Sequence, residues 1–391
     1  MIKKKILWVV YDFVQAGGQR YVYEICKALN KKKYEIDILK VSSLGLDKNW
    51  TSEYYYQPTL DMGCRIFILP DLLSPKAVNK NRSVKEMIRP LREKLKFAST
   101  NSDKTEASTE ALLLNTLFSN YDCINFSGVS VYQVSCIENG LHPDKAIIHI
   151  LSFSFQDQLM YNAFDKNLYY NFVSPVTPGA IENDLKDFKH YTYSYFPLCF
   201  ETIPYEVDTE INKEIFTIAI FTRLSDRKPL DPFFYALKIL IEMGVNIKLE
   251  IFGAGDPEAL GIGNQMRYLY IQPYVHFRGH CNDIPDTLQN NPPDLLWFQS
   301  ANKEPGGYAA LEIAMSGIPQ VFWDFMDLGI NRPIEKIFPS FTKMLDFVQF
   351  SKKLLEDSEH RKILGERQRN YVLKEYSIKD HIHILETIYD T

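Results

Sequence analysis

Two glutamates and a glycine pair lie close together in KEPGGYAALEIAMSGIP, residues 303–319. Glu304 precedes Gly306 and Gly307, and Glu312 follows on what the spacing of apolar residues predicts to be a helix. Glycines at a helix start let an anionic ligand lie against the first free amides, and the two carboxylates can accept hydrogen bonds from vicinal hydroxyls beside it. A simple helix-face glutamate is the alternative for Glu312, although its small apolar neighbours predict a buried face, where a lone charge is costly.

Two cations follow a predicted strand in FTRLSDRKPL, residues 221–230. Arg223 ends the strand and Lys228 lies in the loop after it. Such a pair at the carboxyl end of a strand can neutralise a diphosphate and stabilise it as a leaving group without a metal. A solvated charged loop is the alternative. Because no Asp-x-Asp stands at the end of a predicted strand, the sequence does not predict a metal held by carboxylates.

A second glycine pair, Gly17-Gly18, opens a predicted helix after the apolar run ILWVV. Two explanations fit this pair equally well. The glycines could let the backbone approach an anionic group closely, or they could form a tight turn that needs glycine. A nicotinamide dinucleotide site has weak support, because G-x-G-x-x-G does not follow the first strand and GAGDPEA (253–259) lacks the third glycine.

Apolar runs and amphipathic stretches predict the elements that must position these residues. Runs such as ILWVV are typical of parallel strands buried on both faces, and the stretch after Gly17-Gly18 has one apolar helical face. The segment 186–214 is mixed and contains prolines, which is typical of a linker between domains. The pattern restarts at FTIAIFTR. The predicted fold class is therefore α/β, with two Rossmann-like, doubly wound domains that face a cleft.

The bulk composition fits such a chain. Its 391 residues, 46% hydrophobic and 24% charged, are enough for two globular domains. A formal charge of −5 gives no attraction for nucleic acid. Six cysteines without Cys-x-x-Cys spacing predict a reduced, cytoplasmic chain with buried free thiols. The apolar runs are too short to predict a membrane span or a signal peptide.

Taken in order, these motifs resemble the retaining nucleotide-sugar glycosyltransferases of the GT-B fold, family 4 type (glycosyl transferases group 1). The E-x7-E segment of that family is similar to residues 304–319, where Glu304, Gly307 and Glu312 match in place, and its GRLSPEKG is similar to TRLSDRKP. The resemblance spans nearly the whole chain and is specific in the second half. It implies an acceptor-binding domain at 1–205, a nucleotide-sugar-binding domain at 206–372, and a C-terminal helix at 373–391 that crosses back to the first domain.

The resemblance also implies the reaction: a sugar moves from a UDP- or GDP-linked donor to an acceptor hydroxyl, with retention of the anomeric configuration. The implied catalytic residues are Arg223, Lys228, Glu304 and His149. His149 lies in AIIHILS, where many relatives have a histidine near the sugar, and a satisfied core histidine is the alternative. The implied donor-binding residues are Gly17, Gly18, Gly253, Gly279, Gly306, Gly307, Tyr308 and Glu312. Neither a metal nor another cofactor is implied.

The expected acceptor is a glycan or a lipid-linked molecule of bacterial-type surface polysaccharide or glycoconjugate synthesis. Residues 79–97 are locally basic and have one apolar helical face, so they could dock on anionic lipid at the inner face of the membrane. Pro90 predicts a kink there. A solvated surface helix is the alternative.

Two other functions fit the same fold. One is a GT-B-fold sugar-nucleotide epimerase, which also buries a nucleotide. The other is a non-catalytic partner that stabilises an active transferase. The presence of Arg223, Lys228, Glu304 and Glu312 together argues against a silent partner.

Overall fold

The computed structural model describes residues 2–41, 53–69, 114, 116–127, 145–151, 164–176, 185–207, 214–225, 228–300, 307–324 and 337–391. Contacts within the chain divide it into two compact units. Unit 1 comprises Met1–Phe200 and Ile378–Thr391, and unit 2 comprises Glu201–Ser377. The basic segment 79–97 and Glu304 lie outside the described residues.

Unit 1 is built on a parallel sheet with the strand order β3-β2-β1-β4-β5-β6-β7 in the described residues. The strands are β1 Lys4–Val10, β2 Tyr34–Lys40, β3 Arg65–Ile68, β4 Cys123–Ser127, β5 Ala146–His149, β6 Tyr169–Ser174 and β7 His190–Tyr195. Helices α1 (Gly17–Ala28) and α2 (Tyr56–Asp61) belong to the same unit. The apolar run of β1 is buried throughout, as expected for a central parallel strand.

Strand β7 lies within the segment 186–214 that the sequence analysis interpreted as a linker. It pairs in parallel with β6 along its whole length, so the linker interpretation is wrong for these residues. The six residues HYTYSY are exposed or half-buried and contain no apolar run. An edge strand of this kind lacks the hydrophobic pattern by which buried strands are recognised.

Unit 2 contains a second parallel sheet with the order β10-β9-β8-β11-β12-β13. The strands are β8 Phe216–Phe221, β9 Ile247–Phe252, β10 Val275–Gly279, β11 Leu295–Ser300, β12 Gln320–Asp324 and β13 Ser340–Phe341. The helices are α3 Asp231–Glu242, α4 Ile262–Leu269, α5 Ile284–Asn290, α6 Gly307–Ala314, α7 Met344–Glu356 and α8 Ser358–Glu375. The predicted fold class, with two parallel-sheet α/β units, is confirmed.

The last helix, α9 (Ile378–Asp390), returns to unit 1 and packs on α1. Its Tyr389 is buried, and the Tyr389 carbonyl accepts a hydrogen bond of 2.6 Å from Lys4 Nζ at the start of β1. Asp390 forms an ion pair with Lys33 just before β2. The two ends of the described chain are therefore joined in one unit.

Both sheets have a point where the order of the strands reverses. It lies between β1 and β4 in unit 1 and between β8 and β11 in unit 2. Ligands of open α/β sheets bind beyond the carboxyl ends of the strands at such a point. In unit 2, the strands that meet there lead into the segments that hold Arg223 and Gly307.

Candidate functional site

The loops at the carboxyl edge of the unit 2 sheet are held together by their backbones. Leu224 N donates to Ala254 O at 2.8 Å, and Gly253 N donates to Gly279 O at 2.7 Å. A Cβ at Gly253 would lie 1.6 Å from the carbonyl oxygen of Thr222, so only glycine allows this approach of the loops after β8 and β9. That contact alone accounts for Gly253, and a donor-binding role for Gly253 or Gly279 stays a prediction.

Lys228 lies close to Arg223 in the loop that follows β8. The Lys228 side chain is half-buried, whereas Arg223 is exposed. Burial lowers the pKa of Lys228, and the positive charge of Arg223 lowers it further. Within the described part of the chain, no carboxylate pairs with Lys228. A half-buried cation that faces another cation gains electrostatic stabilisation when an anion binds between or beside the two.

Two hydroxyl groups that the sequence analysis did not single out flank Arg223. Thr222 Oγ1 and Ser225 Oγ are buried and, among the described residues, have no hydrogen-bond partner. A buried hydroxyl without a partner costs about 1–3 kcal/mol. Both belong to the same TRLS stretch, so their position beside the cations was the signal that could have identified them.

The helix α6 begins at Gly307, on the other side of the reversal point. Gly307 has φ of +72°, a left-handed conformation that disfavours any residue with a Cβ. Tyr308 is buried in the first turn, and Glu312 is half-buried further along the helix. Glu304, Pro305 and Gly306 precede the described part of this segment. In sequence, α6 follows β11, which pairs in parallel with β8, the strand whose loop holds Lys228.

Glu312 faces two neighbours that the sequence analysis missed. The Tyr205 hydroxyl donates to the Glu312 backbone carbonyl at 3.3 Å. Burial raises the pKa of Tyr205, and the charge of Glu312 raises it further. Burial also raises the pKa of Cys281, to which the charge of Glu312 adds a smaller effect. Tyr205 belongs to no motif, and Cys281 lies in VHFRGHCNDIP, a stretch that resembles the family's strand and loop beside the base; only the fold shows that both lie near this carboxylate.

His149 lies at the end of β5 in unit 1, where it is fully buried. Its Nε2 lies 2.9 Å from Asn125 Oδ1, which can only accept, so Nε2 carries the proton. Its Nδ1 accepts from the Tyr21 hydroxyl at 3.0 Å. Tyr389 also donates to Asn125 Oδ1, at 3.1 Å. We call Tyr21, Asn125, His149 and Tyr389 the buried polar cluster. Burial lowers the pKa of His149 to about 3, so the ring is neutral.

This arrangement accounts for His149 as a core residue with both ring nitrogens in internal hydrogen bonds. A catalytic role stays a prediction. In the same unit, neither Gly17 nor Gly18 has a positive φ, so a left-handed turn does not explain that glycine pair. Among the described residues, a Cβ at Gly18 would meet only Leu151 Cδ1 at 3.4 Å, an ordinary contact. No side chain of the described residues caps the α1 N-terminus.

The described residues contain neither a metal-binding cluster nor a membrane-spanning helix. No cluster of three or more His, Cys, Asp or Glu side chains there is arranged to hold a metal ion. The described helices include none with the length and hydropathy needed to cross a membrane.

Comparison with known proteins agrees with this architecture. Residues 204–371 match the family Glycosyl transferases group 1. HepE of Anabaena, solved in complex with UDP-glucose, superposes with a TM-score of 0.66 and 13% identity, covering 99% of this chain and 100% of HepE. The chain has the GT-B fold.

Two further GT-B structures show the same likeness. TarM of S. aureus, in a mutant form solved with UDP, Fondaparinux and alpha-GlcNAc-glycerol, gives a TM-score of 0.68 at 11% identity, with 99% of this chain and 100% of TarM covered. Sucrose-phosphate synthase of Thermosynechococcus elongatus gives 0.66 at 14% identity, with 99% and 98% covered. No curated protein matches the sequence. At these identities the structural likeness establishes the fold alone.

Proposed function

We propose that this protein is a retaining glycosyltransferase that moves a sugar from a nucleoside-diphosphate donor to an acceptor hydroxyl without a metal ion. The observation that carries the proposal is Lys228, a half-buried cation beside Arg223 with no carboxylate partner in the described residues, at the reversal point of the unit 2 sheet. The match of residues 204–371 to Glycosyl transferases group 1 supports glycosyl transfer as the type of reaction.

The chemistry that this site needs to provide is stabilisation of a departing diphosphate. As the bond to the sugar breaks, the transition state resembles an oxocarbenium ion, and negative charge grows on the diphosphate. Lys228, Arg223 and the first amides of α6 would stabilise that charge. Removing one such preorganised group typically raises a barrier by about 3 kcal/mol, or on the order of 100-fold in rate.

Both glutamates of the E-x7-E segment have binding roles in this proposal. Glu312 would accept from the ribose hydroxyls, and Glu304 would hold the hydroxyls of the donor sugar. Neither needs to act as a base, because the acceptor proton can pass to the leaving phosphate oxygen on the same face of the sugar. HepE and TarM are solved with UDP, which makes UDP a suitable first nucleotide to test. The acceptor would be a glycan or a lipid-linked molecule.

The test starts from binding and proceeds to catalysis. Thermal shift with UDP, GDP and a panel of their sugars should identify a nucleotide that stabilises the protein. Nucleoside diphosphate release is then measured for wild type, Lys228→Met and Arg223→Ala, and NMR of the product reports its anomeric configuration. We expect each variant to lose on the order of 100-fold in turnover.

The matched control is Lys238→Met on α3, since Lys238 pairs with Glu242 on the helix surface away from the carboxyl edge. It should bind nucleotide and turn over like wild type. If no nucleotide or nucleotide sugar stabilises the chain, the transferase proposal is wrong. Isomerisation of the sugar without transfer would instead favour an epimerase, and binding without any reaction would favour a non-catalytic partner.

A further inference from the structure

Cys26 and Cys64 come together in unit 1, although the sequence places them far apart. Cys26 lies in the last turns of α1 and is fully buried, and Cys64 immediately precedes β3 with 4% of its surface exposed. Lys31 contacts both residues, and each thiol shifts the pKa of the other, which places the two side chains close together. No sequence motif links the two residues, because their contact depends on how α1 packs in unit 1.

A lysine completes the cluster. Lys31 Nζ lies 3.9 Å from Cys64 Sγ and donates to the backbone carbonyl of Cys26. The hydrogen bond from Cys26 and the charge of Lys31 lower the pKa of Cys64 to about 7. The pKa of Cys26 is raised, first by its hydrogen bond with Cys64 and then by burial. One sulfur is therefore a thiolate for much of the time at neutral pH, while the other keeps its proton.

The nucleophilic sulfur lies just below the surface. Cys64 stands between Gly63 and Arg65, which are both exposed, at the turn that follows α2. Gly63 has φ of +82°, and a Cβ there would meet none of the described residues within 4 Å. A small oxidant needs only a local movement of the turn to reach Cys64 Sγ.

We propose that Cys26 and Cys64 are a reversible dithiol–disulfide pair, oxidised by hydroperoxides through attack of Cys64. The site is independent of the proposed transferase activity. Cys64 differs in its pKa from Cys123, another free cysteine of the described chain, for which burial raises the pKa to about 11.

The chemistry proceeds in two balanced steps. The Cys64 thiolate attacks one oxygen of hydrogen peroxide, the O–O bond breaks, and hydroxide leaves, giving Cys64 sulfenic acid once the leaving group is protonated to water. The Cys26 sulfur then attacks Cys64 Sγ and loses its proton as the S–O bond breaks, which forms the disulfide and a second water. Two thiols are oxidised and one peroxide is reduced. A dithiol such as dithiothreitol reverses the reaction.

The test is peptide mapping of the full-length protein after graded exposure to hydrogen peroxide. We expect a disulfide-linked peptide pair that contains Cys26 and Cys64, formed before Cys123 or Cys199 is modified and removed by dithiothreitol. Since the mapping uses wild type, it does not depend on whether a variant folds. Disulfides between chains, or equal modification of Cys64 and Cys123, would overturn the proposal.

Variants separate the roles of the three residues. Cys26→Ser should trap Cys64 as a sulfenic acid that a dimedone-type probe captures, while Cys123→Ser should behave like wild type. Lys31→Met should slow the first step several-fold at neutral pH because fewer Cys64 side chains are ionised. If Lys31→Met reacts with peroxide at the wild-type rate and keeps a wild-type circular dichroism spectrum, Lys31 does not activate Cys64. Cys64→Ser cannot form this linked peptide pair. Any signal at the mass of the pair in that variant therefore measures the background of the peptide mapping.

Discussion

Replacing His149 by glutamine should flatten the dependence of the stability of unit 1 on pH. In the folded chain, burial lowers the pKa of His149 to about 3, whereas an unfolded histidine titrates near 6.5. Between these values the unfolded chain binds a proton that the folded chain excludes. The stability present above pH 6.5 is therefore lost progressively as the pH falls toward 3.

The size of the effect follows from the linkage relation. Each pH unit below 6.5 costs about 1.4 kcal/mol, so at pH 5 the contribution of His149 lowers the free energy of unfolding by about 2 kcal/mol relative to neutral pH. Glutamine can keep a donor and an acceptor in the buried polar cluster but cannot take up the proton. The variant will be less stable than wild type at neutral pH. The contribution of His149 is therefore read from how the difference in unfolding free energy between the two proteins changes with pH.

Urea unfolding between about pH 5 and pH 7.5, followed by circular dichroism, measures both curves. Hydrogen exchange of peptides that cover β4 and β5 assigns the transition to unit 1. His190→Gln is the control, since His190 lies exposed on the edge strand β7, and its curve should run parallel to that of wild type. Parallel curves for wild type and His149→Gln would show that the buried ring does not control this pH dependence.

Two substitutions in unit 2 test its packing. Gly365→Ala in α8 should destabilise the unit by about 1–3 kcal/mol, because the new Cβ would lie 1.6 Å from the Gly317 carbonyl oxygen. In α4, the new Cβ of Gly263→Ala would meet, among the described residues, only the flexible side chain of Glu258 at 3.0 Å. This variant should be neutral or stabilising by up to about 1 kcal/mol, and similar melting temperatures for the two variants would contradict the predicted difference in packing. Ser351→Ala should cost about 1–3 kcal/mol in urea unfolding, because it leaves the buried Trp297 indole N–H unpaired; no change would mean that water replaces the hydroxyl.

The central strands and the general position of the candidate site follow from local patterns. Continuous apolar runs identify buried parallel strands, and the placement of Arg223 and Lys228 after one of them predicts their position at a carboxyl edge. Strand β7 has no such run, since its residues are only partly covered in an edge position. Composition therefore could not separate it from a linker.

Other features depend on contacts between residues that are distant in the sequence. The partners of His149 come from α1 and β4, and α9 adds Tyr389 to the same cluster through Asn125, so the sequence left open whether His149 is a core residue or a catalytic one. Tyr205 approaches Glu312 only because the chain before β8 packs beside α6. The pairing of Cys26 with Cys64 has the same origin.

The return of α9 to unit 1 has a consequence for the order in which the protein folds during synthesis. Lys4 and Tyr389 are 385 positions apart, so β1 receives this partner only after α9 has been synthesised. Unit 2 is continuous in sequence and precedes α9, so we expect it to complete its fold before unit 1 does. Limited proteolysis of a chain that ends at residue 377 should therefore digest unit 1 quickly and leave a resistant fragment of unit 2. Until α9 has been synthesised, unit 1 lacks the helix that packs on α1 and supplies the partner of Lys4.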